Sequence, residues 1–232
     1  MPVNCTIILT TYNREEDCKR CLINLIQKIP SNTEIILLDE WHLPTKSLEY
    51  FCLKNSVKYL WTGAQKNLSV LWRVPGFALN IGAKKAAGDY LIIGCAEILV
   101  ESQNIVKDMI ATGVVSAPKI YDLNEKGIAV QKLNSKLPFF LGLPRKLYLD
   151  IGGYDEDFTG YCFDDNDFSD RILSVMPFEE VSGRAFHLWN ARGAANRGDP
   201  RITHSAWEYN KSLYESRKGT LIRNTDKSWG ML

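Results

Sequence analysis

The chain opens with an alternation that few folds can accommodate. Cys5 to Leu9 is a short apolar run rich in β-branched residues, broken by Thr10-Thr11-Tyr12-Asn13. Cys18, Cys21, Leu22, Leu25, Ile26 and Ile29 then recur at helical spacing, and Glu34 to Leu38 is a second apolar run closed by Asp39-Glu40. The pattern predicts strand, helix, strand. Two buried strands joined by a helix pair in parallel through a right-handed crossover. Ligands of such sheets gather at the carboxyl ends of the strands, where Thr10 to Asn13 and Asp39 fall. Asn13 has the character of an N-cap, with Glu16 three residues on as a capping box requires.

The alternation continues. Leu48 to Lys54 reads as a helix and Val57 to Trp61 as a strand. Gly63 to Gly76 is a long irregular loop of the kind that is functional or mobile. Phe77 to Ala87 reads as a helix ended by Gly88 as its C-terminal glycine. Tyr90 to Ile93 is a fourth strand, leading into Gly94-Cys95-Ala96-Glu97 at another carboxyl end. Gln103 to Ala111 reads as a helix and Gly113 to Ala117 as a fifth strand. From Pro118 the β pattern weakens, and Asp122 to Gly127 has the composition of a hairpin turn. A helix to about Met176, a short strand at Phe178 to Val181 and a helix at Ala206 to Arg217 complete the reading. The last dozen residues are polar and expected to be loosely held. With 232 residues and no repeat or linker, one domain is expected.

One stretch carries unusual chemistry. Six of the seventeen residues from Gly152 to Phe168 are Asp or Glu, set among glycines and aromatics. Such acids face solvent, a cation or a ligand unless they are paired. Phe163, Phe168, Ile172 and Val175 can share one side of a helix, which puts Asp164 and Asp165 in its first turn, where the dipole favours carboxylates. The plain alternative is an acid-capped, solvated helix start.

Composition excludes several classes. Hydrophobic content of 45% and charged content of 24% suit a soluble globular chain, and a formal net charge of +1 gives no general attraction to nucleic acid or membrane. Lys84-Lys85 and Arg192, Arg197 and Arg201 are local basic candidates. No apolar run approaches the roughly 20 residues of a membrane span, and Met1 to Asn4 has no leader character. Free thiols in a reducing, cytoplasmic setting (the host cytoplasm for a viral protein) are expected for the six cysteines. Cys18-Lys19-Arg20-Cys21 lacks a second pair at metal-ligand spacing and lies on an apolar helix face, so packing thiols are expected there. No G-x-G-x-x-G follows the first strand, which removes dinucleotide and phosphate-loop readings.

Four segments in order carry a resemblance. Val3 to Asn13 with Arg14 resembles the opening of family 2 nucleotide-sugar glycosyltransferases of GT-A fold, and Asp39 follows at the spacing of that family's base-binding acid. Phe77 to Tyr90 resembles the segment before the family's D-x-D motif. Gly152 to Arg171 resembles the acceptor region of β-galactosyltransferases and polypeptide GalNAc-transferases. The fold implied is α/β: a GT-A (Rossmann-like), mostly parallel sheet flanked by helices, in a single domain. Residues 1–117 would form the nucleotide-binding half, and 118–232 the acceptor-binding half with the C-terminal helix. The sequence departs from the family where D-x-D reads Cys95-Ala96-Glu97, where Leu79 replaces an arginine, and where Cys162 replaces the acceptor motif's second glycine.

The resemblance implies transfer of a sugar from a nucleotide-sugar donor, UDP-linked by preference, to a hydroxyl acceptor with inversion. Thr10, Thr11, Tyr12 and Asp39 would clamp the nucleotide, with Arg73 and Asn80 beside them. Glu97 and His187 would hold a divalent cation, Mn or Mg, and His204 is a weaker candidate. Tyr161 and Asp164 would hold the acceptor, and Asp165 would be the general base. The loop around Trp72-Arg73 and the one from Ala191 to Arg201 are candidate lids. Plain alternatives are a turn role for Asp39 and a core role for His187. A non-catalytic nucleotide-sugar binder is the rival from another class. The acceptor would be a glycan or, with a basic face at Lys84 and Lys85, a hydroxymethylated nucleobase in viral DNA.

Overall fold

The computed structural model describes residues 4–63, 74–160, 162–189 and 204–232. Strands β1 (Cys5–Thr11), β2 (Thr33–Asp39), β3 (Lys58–Trp61) and β4 (Tyr90–Cys95) lie parallel in the order β3-β2-β1-β4. Every residue of β1 is buried, as a central strand covered on both faces requires. Helix α1 (Glu15–Ile26) turns Cys18, Cys21, Leu22 and Leu25 onto one face of the sheet. α2 (Lys46–Lys54) covers the same face through Leu48 and Cys52, whereas α3 (Pro75–Lys85) lies on the other against Ile8 and Leu38. Cys18 and Cys21 are core thiols: both are free and fully buried, and burial pushes the Cys21 thiol up to about 12.

Two local expectations are corrected. Asn13 is not the N-cap of α1. It sits in the left-handed region at φ 51, which asparagine tolerates, and Arg14 takes the cap position with no side-chain cap bond. Nor does Gly88 cap α3, which ends at Ala86 in extended conformation. Gly88 instead crosses β1 so closely that an added Cβ would stand 2.5 Å from the Cys5 carbonyl carbon.

Beyond β4 the sheet becomes mixed. The remaining elements are β5 (Ile98–Val100), α4 (Asn104–Thr112), β6 (Val115–Leu123), β7 (Ala129–Lys132), β8 (Phe140–Pro144), α5 (Arg145–Asp150), α6 (Asp164–Val175), β9 (Phe178–His187) and α7 (His204–Arg217). The order continues β4-β8-β6-β9-β5, with β7 folded back on β6 around the expected hairpin turn. β4 to β8 and β8 to β6 are antiparallel, and β6 to β9 is parallel. β5 follows β4 after two residues yet pairs with β9 at the far edge, so the sheet curls. β9 runs six residues past the expected Val181. Phe168 and Ile172 face the core from α6 as expected, but Val175 is exposed.

The C-terminal tail is docked. Buried Arg223 pairs with Asp155 at 3.2 Å and with Asp167 at 2.6 Å. Asn224 Nδ2 donates to the carbonyls of Gly152 and Tyr154, and Gly230 N–H donates to Glu156. Arg217 and Lys227 pair with Asp157, and Arg217 also with Asp155. Asp155, Glu156, Asp157 and Asp167 thus hold the tail, with Leu221 and Trp229 packed against the core. Among the described residues, no helix is long and apolar enough to cross a membrane.

Candidate active site

A cleft of about 240 Å³ opens at the carboxyl ends of β1 and β2, lined by Thr11, Asn13, Arg14, Asp39, Trp41 and neighbours. Asp39 is buried in its wall. Its Oδ1 accepts from Trp41 N–H at 3.0 Å, and its Oδ2 accepts from Thr45 N–H at 3.0 Å and from the Tyr59 hydroxyl at 2.6 Å. Three of a carboxylate's roughly four acceptor sites are therefore used by the loop and by Tyr59 of β3. Asp39 is a turn organiser with one site to spare. Burial and the Asp39 carboxylate push the Tyr59 phenol well above its ordinary range. Tyr12 meets Trp41 edge to face, ring centres 4.9 Å apart. Thr10 and Thr11 use their carbonyls to accept from Ala96 and Glu40 N–H, and Thr11 Oγ1 is buried without a hydrogen-bond partner among the described residues. Glu40, one residue past Asp39, is also buried. Burial and Asp39 push its carboxyl up to about 8, so it is held largely neutral.

β4 delivers the second group. Cys95 pairs with Thr10, and Ala96-Glu97 turn the chain into β5. β5 pairs with the end of β9, so Ile98 lies opposite His187, and Leu188 N–H donates to the Glu97 carbonyl. One donor atom each from Cys95, Glu97 and His187 lies within 4.8 Å of the others. His187 Nδ1 lies 2.9 Å from Asp122 Oδ1, its partner across β6 and β9. A carboxylate there favours a proton on Nδ1 and leaves the Nε2 lone pair for the group. Glu97 Oε2 stands 3.9 Å from that Nε2 and 2.9 Å from Arg14 Nη1. Arg14 also pairs with Asp17 at 2.8 Å. Burial raises the Glu97 carboxyl above its ordinary value, against the pull of Arg14 and His187. Burial, then the Glu97 charge, pushes the Cys95 thiol well up.

The acidic stretch forms the third group. Cys162 and Phe163 both take positive φ, a strained two-residue turn that opens α6 with Asp164 and Asp165 in its first turn. Asp164 is buried; burial first and the Asp165 charge second push its carboxyl well above the usual range. Asp165 is exposed as a residue, and at its carboxyl tip Tyr154 Oη donates to Oδ1 at 3.1 Å. Desolvation of that tip pushes it up to about 6 although the Tyr154 bond pulls down. Tyr154 stacks on Phe168, and Gly76 at the start of α3 packs on its ring. α3 runs antiparallel to the strands it covers, so its first turn lies at their carboxyl ends. The pair therefore reaches the same edge of the sheet as Asp39 and Glu97.

Several expectations are corrected or lie elsewhere. Asn80 is fully buried, with all four hydrogen-bonding positions used. Nδ2 donates to Tyr154 O and Glu156, and Oδ1 accepts from Tyr148 and from Tyr154 N–H. It builds the fold and has nothing left for a donor. Lys84 and Lys85 end α3 at the opposite sheet edge, with Lys84 3.8 Å over the Trp229 ring, so they form no basic face beside the site. Arg73, Tyr161, Arg192, Arg197, Arg201 and both candidate lids lie outside the described residues, as does the His204 side chain. Arg14 and Asp122 carried no sequence-based site assignment, and Cys95 stood only as a departure from D-x-D that serves a hard cation poorly. Arg14 was visible beside Tyr12-Asn13. Asp122 was not, because only the β6–β9 register brings it to His187.

No protein-family profile and no curated protein matches the sequence. Solved structures match the fold. Superposition on GalNAc-T7 with UDP, GalNAc and Mn2+ gives a TM-score of 0.62 at 18% identity, covering 83% of this chain and 45% of that one. TarS of S. aureus gives 0.62 at 15% identity over 95% of this chain and 44% of that one. A mannosyltransferase from Pyrobaculum calidifontis with GDP-Man and Mn2+ gives 0.58 at 14%, over 92% and 62%. The fold is GT-A, that of nucleotide-sugar glycosyltransferases. The chain spans less than half the length of the first two of these structures.

Proposed function

We propose that this chain transfers a sugar from a nucleoside diphosphate donor, UDP-linked in the first instance, to a glycan-type hydroxyl acceptor with inversion at the anomeric carbon. The observation that carries the reading is the Cys95–Glu97–His187 donor group joined through Arg14 to the Asp39 cleft, with the Asp164–Asp165 pair at the start of α6 as the third element. Asp39 keeps one acceptor site for a base N–H. Arg14, at the mouth of the cleft and beside Glu97, is positioned to meet the diphosphate. Asp164, its carboxyl pushed well up by burial and the Asp165 charge, would hold the acceptor, and Asp165, near 6, would take the acceptor proton at neutral pH.

The donor set fits a divalent cation, since its three ligand atoms are already grouped and one is the Nε2 that Asp122 leaves bare. Bound there, the cation would act as a Lewis acid on the departing diphosphate. Thermal shift with UDP, with and without cation, tests this, because a bound donor stabilises by mass action. Glu97→Ala is expected to abolish the cation's contribution while the fold stays intact; an unchanged cation effect would remove Glu97 from the site. Asp122→Asn is expected to weaken cation affinity roughly 10–100-fold, the usual scale when a ligand's supporting carboxylate is lost. Calorimetric titration of the cation in the presence of UDP measures it, and a wild-type affinity would return Asp122 to a purely structural role.

A further inference from the structure

We infer that the Cys95–Glu97–His187 group takes a thiophilic divalent cation of the zinc class in preference to magnesium or manganese, with the Cys95 sulfur as a ligand. The inference rests on the proposed cation role of this site and names the kind of ion. Three observations support it. First, the site offers one sulfur, one nitrogen and one oxygen, where hard cations want oxygen throughout. Second, the three donor atoms lie within 4.8 Å of one another. Around an ion with ligand bonds of about 2.0–2.3 Å they would stand roughly 3.3–3.8 Å apart, so about 1 Å of side-chain adjustment closes the set. Third, the surroundings are prepared for that adjustment. Asp122 holds the His187 ring from behind, and Arg14, which now occupies Glu97 Oε2, keeps Asp17 as a second partner when it yields.

Binding is written as one exchange. The Cys95 thiol loses its proton to solvent as the sulfur–metal bond forms, and the ion sheds water. Thiolate and carboxylate together cancel the ion's two charges. The positive charge facing a diphosphate then falls to Arg14, released from Glu97. A site with this charge balance would need Arg14 in a way that an all-oxygen site would not.

The test uses the full chain and cobalt(II) as a coloured stand-in for zinc. Cobalt is expected to produce a thiolate-to-metal charge-transfer band, and equimolar zinc to abolish it. A roughly hundredfold excess of magnesium or manganese should leave it. Cys95→Ser should remove the band and weaken cobalt binding about tenfold or more, and Cys95→Asp should shift preference towards manganese. A band that survives Cys95→Ser, or that manganese removes at equal concentration, overturns the inference. The wild-type competition decides the matter even where a variant fails to fold. Nucleotide binding is measured on the same samples. Metal-dependent UDP binding without the band sinks the thiolate and leaves the glycosyltransferase reading; loss of UDP binding under all metals sinks that reading itself.

Discussion

Asp165→Asn is expected to lower sugar transfer roughly 10²–10⁴-fold, the usual worth of a positioned general base. Donor affinity should be nearly unchanged, because the donor cleft is built from β1 and β2. The amide keeps the size of the side chain and can still accept from Tyr154, so the start of α6 should persist. What is lost is proton affinity. An acceptor hydroxyl is a poor nucleophile until its proton leaves, and the Asp165 carboxyl at about 6 is basic enough to take it while being ionised at pH 7. The sign of the pH dependence follows. Below about 6 the base is protonated and transfer falls; above it transfer reaches a plateau, and the variant loses this limb. Asp164 and Asp165 interact, so the limb belongs to the pair. Full activity in Asp165→Asn, with product of retained configuration, would mean that the pair positions substrate without moving a proton.

Arg223→Ala is expected to destabilise the fold by about 3–5 kcal/mol, the cost of stripping one partner from a buried charge cluster. Arg223 lies between Asp155 and Asp167, with all three side chains almost wholly removed from water. Arg171 retains Asp167 at 2.8 Å, but among the described residues the ion pair left to Asp155 is with the partly exposed Arg217, beside the Asp157 N–H that its Oδ1 accepts. The variant also frees the tail that Asn224 and Gly230 seat against Gly152, Tyr154 and Glu156. Since Tyr154 carries the bond to Asp165, activity should fall further than unfolding alone explains. Urea denaturation measures the first effect. A loss below about 1 kcal/mol, the scale of a surface pair, would show that the cluster is solvated and the tail dispensable.

How much of this was legible beforehand varies along the chain. The parallel half was legible because a strand buried on both faces is a continuous apolar run, as Ile7 to Leu9 and Ile35 to Leu38 are. Tyr90 to Ile93 and the carboxyl-end positions of Asp39 and Glu97 followed from the same rule. The acid-rich first turn of α6 was legible too, since glycine, aromatic and acid spacing act over a few residues. β8 was hidden because Phe140 to Pro144 runs directly into α5, and β5 because it is three residues long. The docking of the tail was not legible because polarity along the chain does not show that Arg223 and Lys227 fall opposite Asp155, Asp157 and Asp167.

By itself, then, the sequence determined the α/β alternation, the edge on which ligands gather and the pair of acids that opens α6. These depend on local spacing and on burial, which are written residue by residue. Only the tertiary structure decided which polar residues work together. It turned Asn80 into a saturated core amide, set Asp122 behind His187 across 65 residues of chain, and brought Arg14 and His187 to Glu97. The β6–β9 register sets Asp122 beside His187, and the curl that pairs β5 with β9 sets His187 beside Glu97. A hydrogen bond or a ligand set needs ångström positions that no spacing rule along the chain contains.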